Sequence, residues 1–246
     1  MARSTFYYHL KALERTDRYE AEKKRICEIF HENNGRYGYR RITMKELGLK
    51  CLIRKKRYRS YKGTIGKIAT NILNRDFTAY KPYQKLVTDV SQITIGNEKC
   101  FLSPVLDLFN GEVLGYDISD RADLAQINKM LNDVFAITDK LPDGWGTLLH
   151  SDQGWQYQHK KYQEALEKHG IMQSMSRKGN CLDNSVMENF FGLMKSELLY
   201  ANQYKSMEHF KKDLKEYIEW YNNKRIKMRL KGMSPVQYRA QYLKNK

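Results

Sequence analysis

Cysteine is scarce in this chain. The four residues Cys27, Cys51, Cys100 and Cys181 are far apart in 246 and form no CxxC pair. That spacing argues against a structural zinc site and a disulfide framework, and it suits a reducing cytosol. Long apolar runs are also missing. No stretch approaches the roughly 18–20 apolar residues that a membrane span requires. The N-terminus shows no apolar segment leading to a small-residue cleavage site, so neither a membrane contact nor a signal peptide is expected. Internal repeats are absent. Acidic residues are outnumbered, 28 against 44 Lys and Arg, and the imbalance is segregated along the chain. Residues 1–85 carry a net +14, residues 86–205 a net −5, and residues 206–246 a net +7. Basic surface kept only for solubility would not sort itself in this way. An acidic middle between basic ends suggests a cation-holding core with arms that bind a polyanion.

The pattern along the chain divides it into four parts. Residues 1–52 are expected to be helical. Tyr7, Tyr8 and Leu10 sit in the end of one helical segment, and Arg18–Asn33 reads as another, stopped by Asn33-Asn34-Gly35. Arg36-Tyr-Gly-Tyr-Arg-Arg-Ile42 then turns into a basic helix ending near Gly48. This resembles half of a helix-turn-helix, with Arg36, Arg40 and Arg41 toward DNA; an ordinary helical hairpin is the plainer alternative. Residues 53–84 form a basic linker. Arg54, Lys55, Lys56, Arg57 and Arg59 alternate with tyrosines, which suits phosphate contact and stacking.

Residues 85–205 change to short strands alternating with helices, an α/β layer with an antiparallel hairpin on one side. Strands are expected at Leu86–Ile95, Cys100–Leu108, Val113–Ser119, Thr147–Ser151 and Ile171–Ser174. Helices are expected at Asp123–Thr138, Lys160–His169 and from Asp183 or Asn184 onward. Asn110-Gly111 reads as a two-residue hairpin turn. Pro104, inside a strand, points to a sheet edge or a bulge. Residues 206–246 are helical and basic, with Phe210, Leu214, Ile218 and Tyr221 on one face of Met207–Asn223. This segment is expected to pack on the core and to touch DNA.

Three carboxylates carry the chemistry of this pattern. Asp89 lies in a strand-like run, Asp152 follows a short strand in Leu149-His-Ser-Asp-Gln-Gly154, and Glu188 lies on an amphipathic helix, with 35 residues between it and Asp152. Aspartate is disfavoured within strands, and a buried carboxylate is costly unless paired or metal-bound. Oxygen ligands without a Cys/His cluster favour Mg²⁺ or Mn²⁺ over Zn²⁺. Two such ions would activate the attacking oxygen and stabilise the departing one in phosphodiester chemistry, with Asp89 bridging them. On the Glu188 helix, Asn184, Glu188, Gly192 and Lys195 share a face. Gly192 there calls either for close approach of a DNA backbone or for tight helix packing. Lys195 is a candidate phosphate contact, as are Arg177 and Lys178 in the preceding loop. His150 suits a structural role at a strand end, and Trp155 fits either the core or a stacking platform.

These residues resemble bacterial insertion-sequence transposases of the OrfB type, whose core is similar to retroviral integrase. The likeness is carried by Tyr37-Gly-Tyr-Arg-Arg-Ile42, Val87-Thr-Asp-Val90, Leu102-Ser-Pro-Val-Leu-Asp-Leu-Phe-Asn-Gly111, His150-Ser-Asp-Gln-Gly154, Asp183-Asn-Ser-Val-Met-Glu-Asn-Phe-Phe-Gly192, Tyr221-Asn-Asn-Lys-Arg225 and Met233-Ser-Pro-Val236. The resemblance implies an RNase H-like fold and a DDE triad at Asp89, Asp152 and Glu188. It also implies divalent metal, and DNA cleavage with strand transfer. Partners implied are element-end and target DNA, a smaller helix-turn-helix subunit or fusion, and further copies of the chain on DNA. The implied location is the bacterial cytoplasm, at the nucleoid. Two features depart from the family. Leu86 stands where a Trp is common, and Ile42-Thr-Met-Lys-Glu-Leu-Gly48 runs together two stretches that lie further apart elsewhere. The start at Met1-Ala-Arg-Ser also comes late. The alternative expectation is therefore a catalytically silent DNA-binding copy with impaired end recognition.

Overall fold

The computed structural model describes residues 19–32 and 66–245. The chain divides into two compact units, 1–60 and 61–246. The described part of the first is one helix, α1 (Glu20–Glu32), with an Arg25–Glu28 ion pair at 3.0 Å along its surface. The helix-turn-helix reading and residues 53–65 of the linker lie outside the described residues.

The second unit is built on a six-stranded mixed sheet. Its strands are β1 (Lys85–Thr88), β2 (Ser91–Ile95), β3 (Glu98–Asp107), β4 (Val113–Ser119), β5 (Leu148–Ser151) and β6 (Met172–Met175). β3 pairs antiparallel with β1 and β2 along one side and with β4 along the other. β5 runs parallel to β1, and β6 parallel to β5. Alternation of side chains along each strand splits the core into two layers. Val87, Leu102, Leu106 and Leu148 point to one face, where they meet α5 (Ser185–Met194) and α6 (Met207–Asn223). Leu86, Val105 and Leu149 point to the other, under α2 (Leu124–Thr138), α3 (Trp155–Gln158) and α4 (Lys160–Lys168). The result is a helix–sheet–helix sandwich. Asp123 caps α2 by accepting from Gln126 N at 3.0 Å, and Ser206 caps α6 from His209 N at 3.2 Å.

Two local expectations change. The run Leu86–Ile95 is two strands, interrupted at Asp89–Val90, so Asp89 stands in a gap and not within a strand. The hairpin between β3 and β4 is a five-residue loop, 108–112, in place of a two-residue turn. The Asp107 carboxylate opens that loop by accepting from Phe109 N at 2.9 Å, and it also holds Tyr83 N at 2.7 Å. Burial pushes the Asp107 carboxyl up to about 7. Pro104 lies beside a bulge, the register shift between Val105 and Leu106 against β4.

The C-terminal segment is fastened to this hairpin. Asn222 on α6 clamps the edge of β4, accepting from Val113 N at 2.9 Å and donating to Val113 O at 2.8 Å. α7 (Pro235–Lys244) starts with a capping box between Ser234 and Gln237. Its Arg239 binds the buried Glu112 through two hydrogen bonds, 2.6 and 2.8 Å. The Glu112 side chain is only 8% exposed. Arg239→Ala would strand that carboxylate and should lower the unfolding free energy by about 3 kcal/mol. Urea denaturation checks this, and a loss below about 1 kcal/mol, the level of an exposed pair, would contradict it.

Candidate active site

Sheet register brings the first two carboxylates together. Val87 is paired with His150 across β1 and β5. Two residues further along these parallel strands, the same register sets Asp89 beside Asp152. Both lie just past the C-terminal ends of adjacent parallel strands, where open α/β sheets place their ligand crevices. Asp89 Oδ1 accepts from Val90 N at 2.7 Å, and Asp152 Oδ1 accepts from Gly154 N at 2.8 Å. A Cβ at Gly154 would sit 2.7 Å from Gln156 Nε2 and 2.9 Å from Asp152 Oδ1, so a larger residue there would press on the carboxylate.

Glu188 reaches the same region from α5, where it is exposed. Its charge, with that of Asp152, acts on Asp89. Burial and then these two charges push Asp89 up to about 7, against the single opposing hydrogen bond from Val90. Burial also raises Asp152. Among the described residues none of the three carboxylates makes an ion pair, and no three His, Cys, Asp or Glu side chains are gathered closely enough to enclose a metal ion. The donor set nevertheless fits a hard divalent cation. It consists of two carboxylates raised by burial, Asp89 and Asp152, and the exposed Glu188, with no Lys or Arg paired to any of them among the described residues.

Beneath the pair lie two fully buried tyrosines, Tyr157 and Tyr162, with rings in edge contact at 5.4 Å. Their hydroxyls have no partner among the described residues. Burial, followed by the charges of Asp89 and Asp152, drives Tyr157 far above its usual range. Beside them His150 is wholly buried. Ser174 Oγ accepts from Ile72 N at 2.9 Å and Leu73 N at 3.1 Å, so its own hydrogen goes to His150 Nδ1 at 2.8 Å. That fixes the proton of the neutral imidazole on Nε2. Burial holds the His150 pKa down, in keeping with its structural reading.

The start of the Glu188 helix is set by Asp183, which the sequence marked only as a possible first residue of that helix. Its carboxylate takes Arg75 Nε at 2.7 Å, Asn71 Nδ2 at 3.1 Å, and both the main chain and guanidinium of Arg177 at 3.0–3.3 Å. Arg177, foremost among these partners, pulls the Asp183 carboxyl well below the usual range. The guanidinium of Arg177 is thus already engaged. Asn184 is 7% exposed and buried in this corner. Lys178 is exposed, and Lys195 is half-buried; neither pairs with a carboxylate among the described residues. Gly192 is exposed, with nothing within 4 Å of the position its Cβ would take, so helix packing does not require it. A π-helical turn, Lys195–Leu199, follows directly. Trp155 is 40% exposed. Arg36, Arg40, Arg41, Arg54, Lys55, Lys56, Arg57 and Arg59 lie outside the described residues.

Asp89 titrates near 7 when folded and near 3.8 when unfolded. Between those values the fold holds a proton that the unfolded chain has released, so this group's contribution to stability falls as pH rises. In chelator, Asp89→Asn should gain on the wild type by on the order of 3 kcal/mol between pH 4 and pH 8. Asp107 is present in both proteins and cancels. Parallel stability–pH curves from urea denaturation would contradict this.

Two stretches, residues 79–181 and 188–243, match the family description Integrase core domain. The chain is 49% identical to the putative transposase InsK for insertion sequence element IS150 of Escherichia coli (strain K12), over 97% of this chain and 90% of that protein. That match runs over 257 positions, more than the 246 residues here, so it opens gaps in this chain. Among solved structures, the simian T-cell lymphotropic virus intasome in complex with PP2A regulatory subunit B56 gamma matches with a TM-score of 0.55. Identity is 18%, over 80% of this chain and 66% of that one. The HTLV-2 integrase catalytic core domain in complex with magnesium (trimeric form) matches at 0.52 and 14% identity, over 66% of this chain and 99% of that one. The fold is RNase H-like, and the chain belongs to the insertion-sequence transposases with an integrase catalytic core.

Proposed function

We propose that this chain is a DDE transposase that cleaves DNA and transfers strands during movement of a bacterial insertion sequence. The observation that carries the reading is the juxtaposition of Asp89 and Asp152 at the ends of β1 and β5, with Glu188 in their field. In this reading the three side chains hold two divalent cations, Mg²⁺ or Mn²⁺. When bound, such a pair supplies Lewis acidity to the attacking and departing oxygens. Asp89, Asp152 and Glu188 would hold these cations between them. Bound cations would offset the burial and the neighbouring charges that hold Asp89 near 7.

DNA lies along the exposed face of α5 in this reading. Gly192 leaves open space between Glu188 and Lys195 for a phosphate backbone, and Lys195 and Lys178 are free to neutralise it. Arg177 reaches DNA only by sharing its bonds to Asp183, and Asn184 acts from beneath the surface. Arg36, Arg40, Arg41 and the run Arg54–Arg59 supply further phosphate contacts. A smaller helix-turn-helix subunit, several copies of the chain on DNA, and a location at the bacterial nucleoid belong to the same reading. The run-together stretch Ile42-Thr-Met-Lys-Glu-Leu-Gly48 favours one other reading. That is a copy with an intact core whose shortened N-terminal region recognises the element ends poorly.

The test is strand transfer with Mn²⁺ or Mg²⁺, a labelled duplex carrying the element's end, and a supercoiled plasmid. Joined product should form with the wild type and vanish with Asp152→Ala, while both proteins bind DNA. Product from Asp152→Ala would refute the triad. Absence of product from the wild type, restored by adding the helix-turn-helix subunit, would place the defect in end recognition.

Gly192→Ala gives a second test, with readouts of opposite sign. It should raise helix stability by about 1 kcal/mol and weaken DNA binding. Added stability with unchanged DNA affinity would remove α5 from the DNA path.

A further inference from the structure

The gap that frees Asp89 from the sheet has a cause in the neighbouring strand. β1 and β2 share one register on β3: Thr88 faces Val105, and Ser91 faces Leu102. Asp89 therefore falls opposite Pro104. The phase of the ladder is fixed by a bond at its start, Leu108 N to Lys85 O at 2.9 Å. In an antiparallel pair, hydrogen-bonded positions recur at every second residue. Counting on from Lys85 and Leu108, the bonded positions are Val87 with Leu106 and then Asp89 with Pro104. The opposite edge of β1 agrees, since Leu148 N donates to Gln84 O at 3.0 Å and so the even-numbered residues turn toward β5. The ladder thus asks for an N–H from residue 104 toward the Asp89 carbonyl, and proline has none. The Pro104 carbonyl also accepts from Thr88 Oγ1 at 2.9 Å. On its outer side Val90 N, beyond the end of β5, is taken by the Asp89 carboxylate itself.

We infer that Pro104 is a positioning residue: by withholding one ladder hydrogen bond it keeps the main chain at Asp89 out of the sheet and fixes where the Asp89 carboxylate stands. The inference rests on the reading of Asp89 as a cation-binding carboxylate. It differs from a packing role, because any apolar residue of similar size would fill the same buried place while restoring the donor.

Pro104→Ala and Pro104→Val both return the N–H and differ in volume, so a misfit in one leaves the other to be read. Amide exchange at residue 104, Mn²⁺ half-saturation of strand transfer, DNA affinity and thermal midpoint would be measured for each. The residue 104 amide should be protected from exchange, as a ladder amide is. The Mn²⁺ half-saturation should rise by about tenfold or more, with DNA affinity kept and the midpoint not lowered. A protected amide with unchanged Mn²⁺ half-saturation would overturn the inference, as would an unprotected amide in a folded variant. Loss of folding in both variants would assign Pro104 to packing and overturn it too. A wild type without Mn²⁺-dependent product even when the helix-turn-helix subunit is added would instead defeat the reading of Asp89, while amide exchange still decides whether Pro104 opens the ladder.

Discussion

The parallel pairing of β1 with β5 is the contact on which the rest of the site depends. These strands are far apart in sequence, and only their register brings Asp89 level with Asp152. A slip of one residue would turn every side chain of β1 to the opposite layer. The register is held because Leu86 and Val87 belong to different cores, as do Leu149 and Leu148. Hydrophobic burial on both faces thus locates two carboxylates at one end of the sheet.

That placement opposes the local chemistry. Two desolvated carboxylates side by side, with a third in their field, hold Asp89 near neutrality in its titration. The fold tolerates this because the rest of the unit is tightly secured. Asp183 gathers Arg75, Asn71 and Arg177 to fix the entry to α5. Arg239 closes on Glu112, and Asn222 occupies the edge of β4. Motifs first noticed for their order along the chain therefore divide by role. Asp89, Asp152 and Glu188 stand without ion-pair partners among the described residues, whereas Asp183, Asn222 and Ser234 are satisfied and structural.

Much of this was legible beforehand for physical reasons. The short-strand pattern after Asn110-Gly111 marked β4 as Val113–Ser119, and helical spacing marked Met207–Asn223, both with the bounds observed. The caps at Asp123 and Ser206 were not read from the sequence, although each acts within three residues. The continuous strand over Leu86–Ile95 misled, because its interruption is caused by Pro104 on another strand. The hairpin misled because Asp107 redirects the loop around its own carboxylate.

The sequence by itself determined which side chains carry charge without a local partner, and that the chain alternates strands with amphipathic helices. Those properties follow from residue type and short-range periodicity. Only the tertiary structure decided that Asp89 sits in a gap, that Gly192 faces open space, and that Arg177 is tied to Asp183. It likewise made Asn184 a buried residue and His150 a fixed tautomer on Ser174. Each of these depends on partners brought together by sheet register and helix packing, and such long-range contacts leave no periodic trace in the chain.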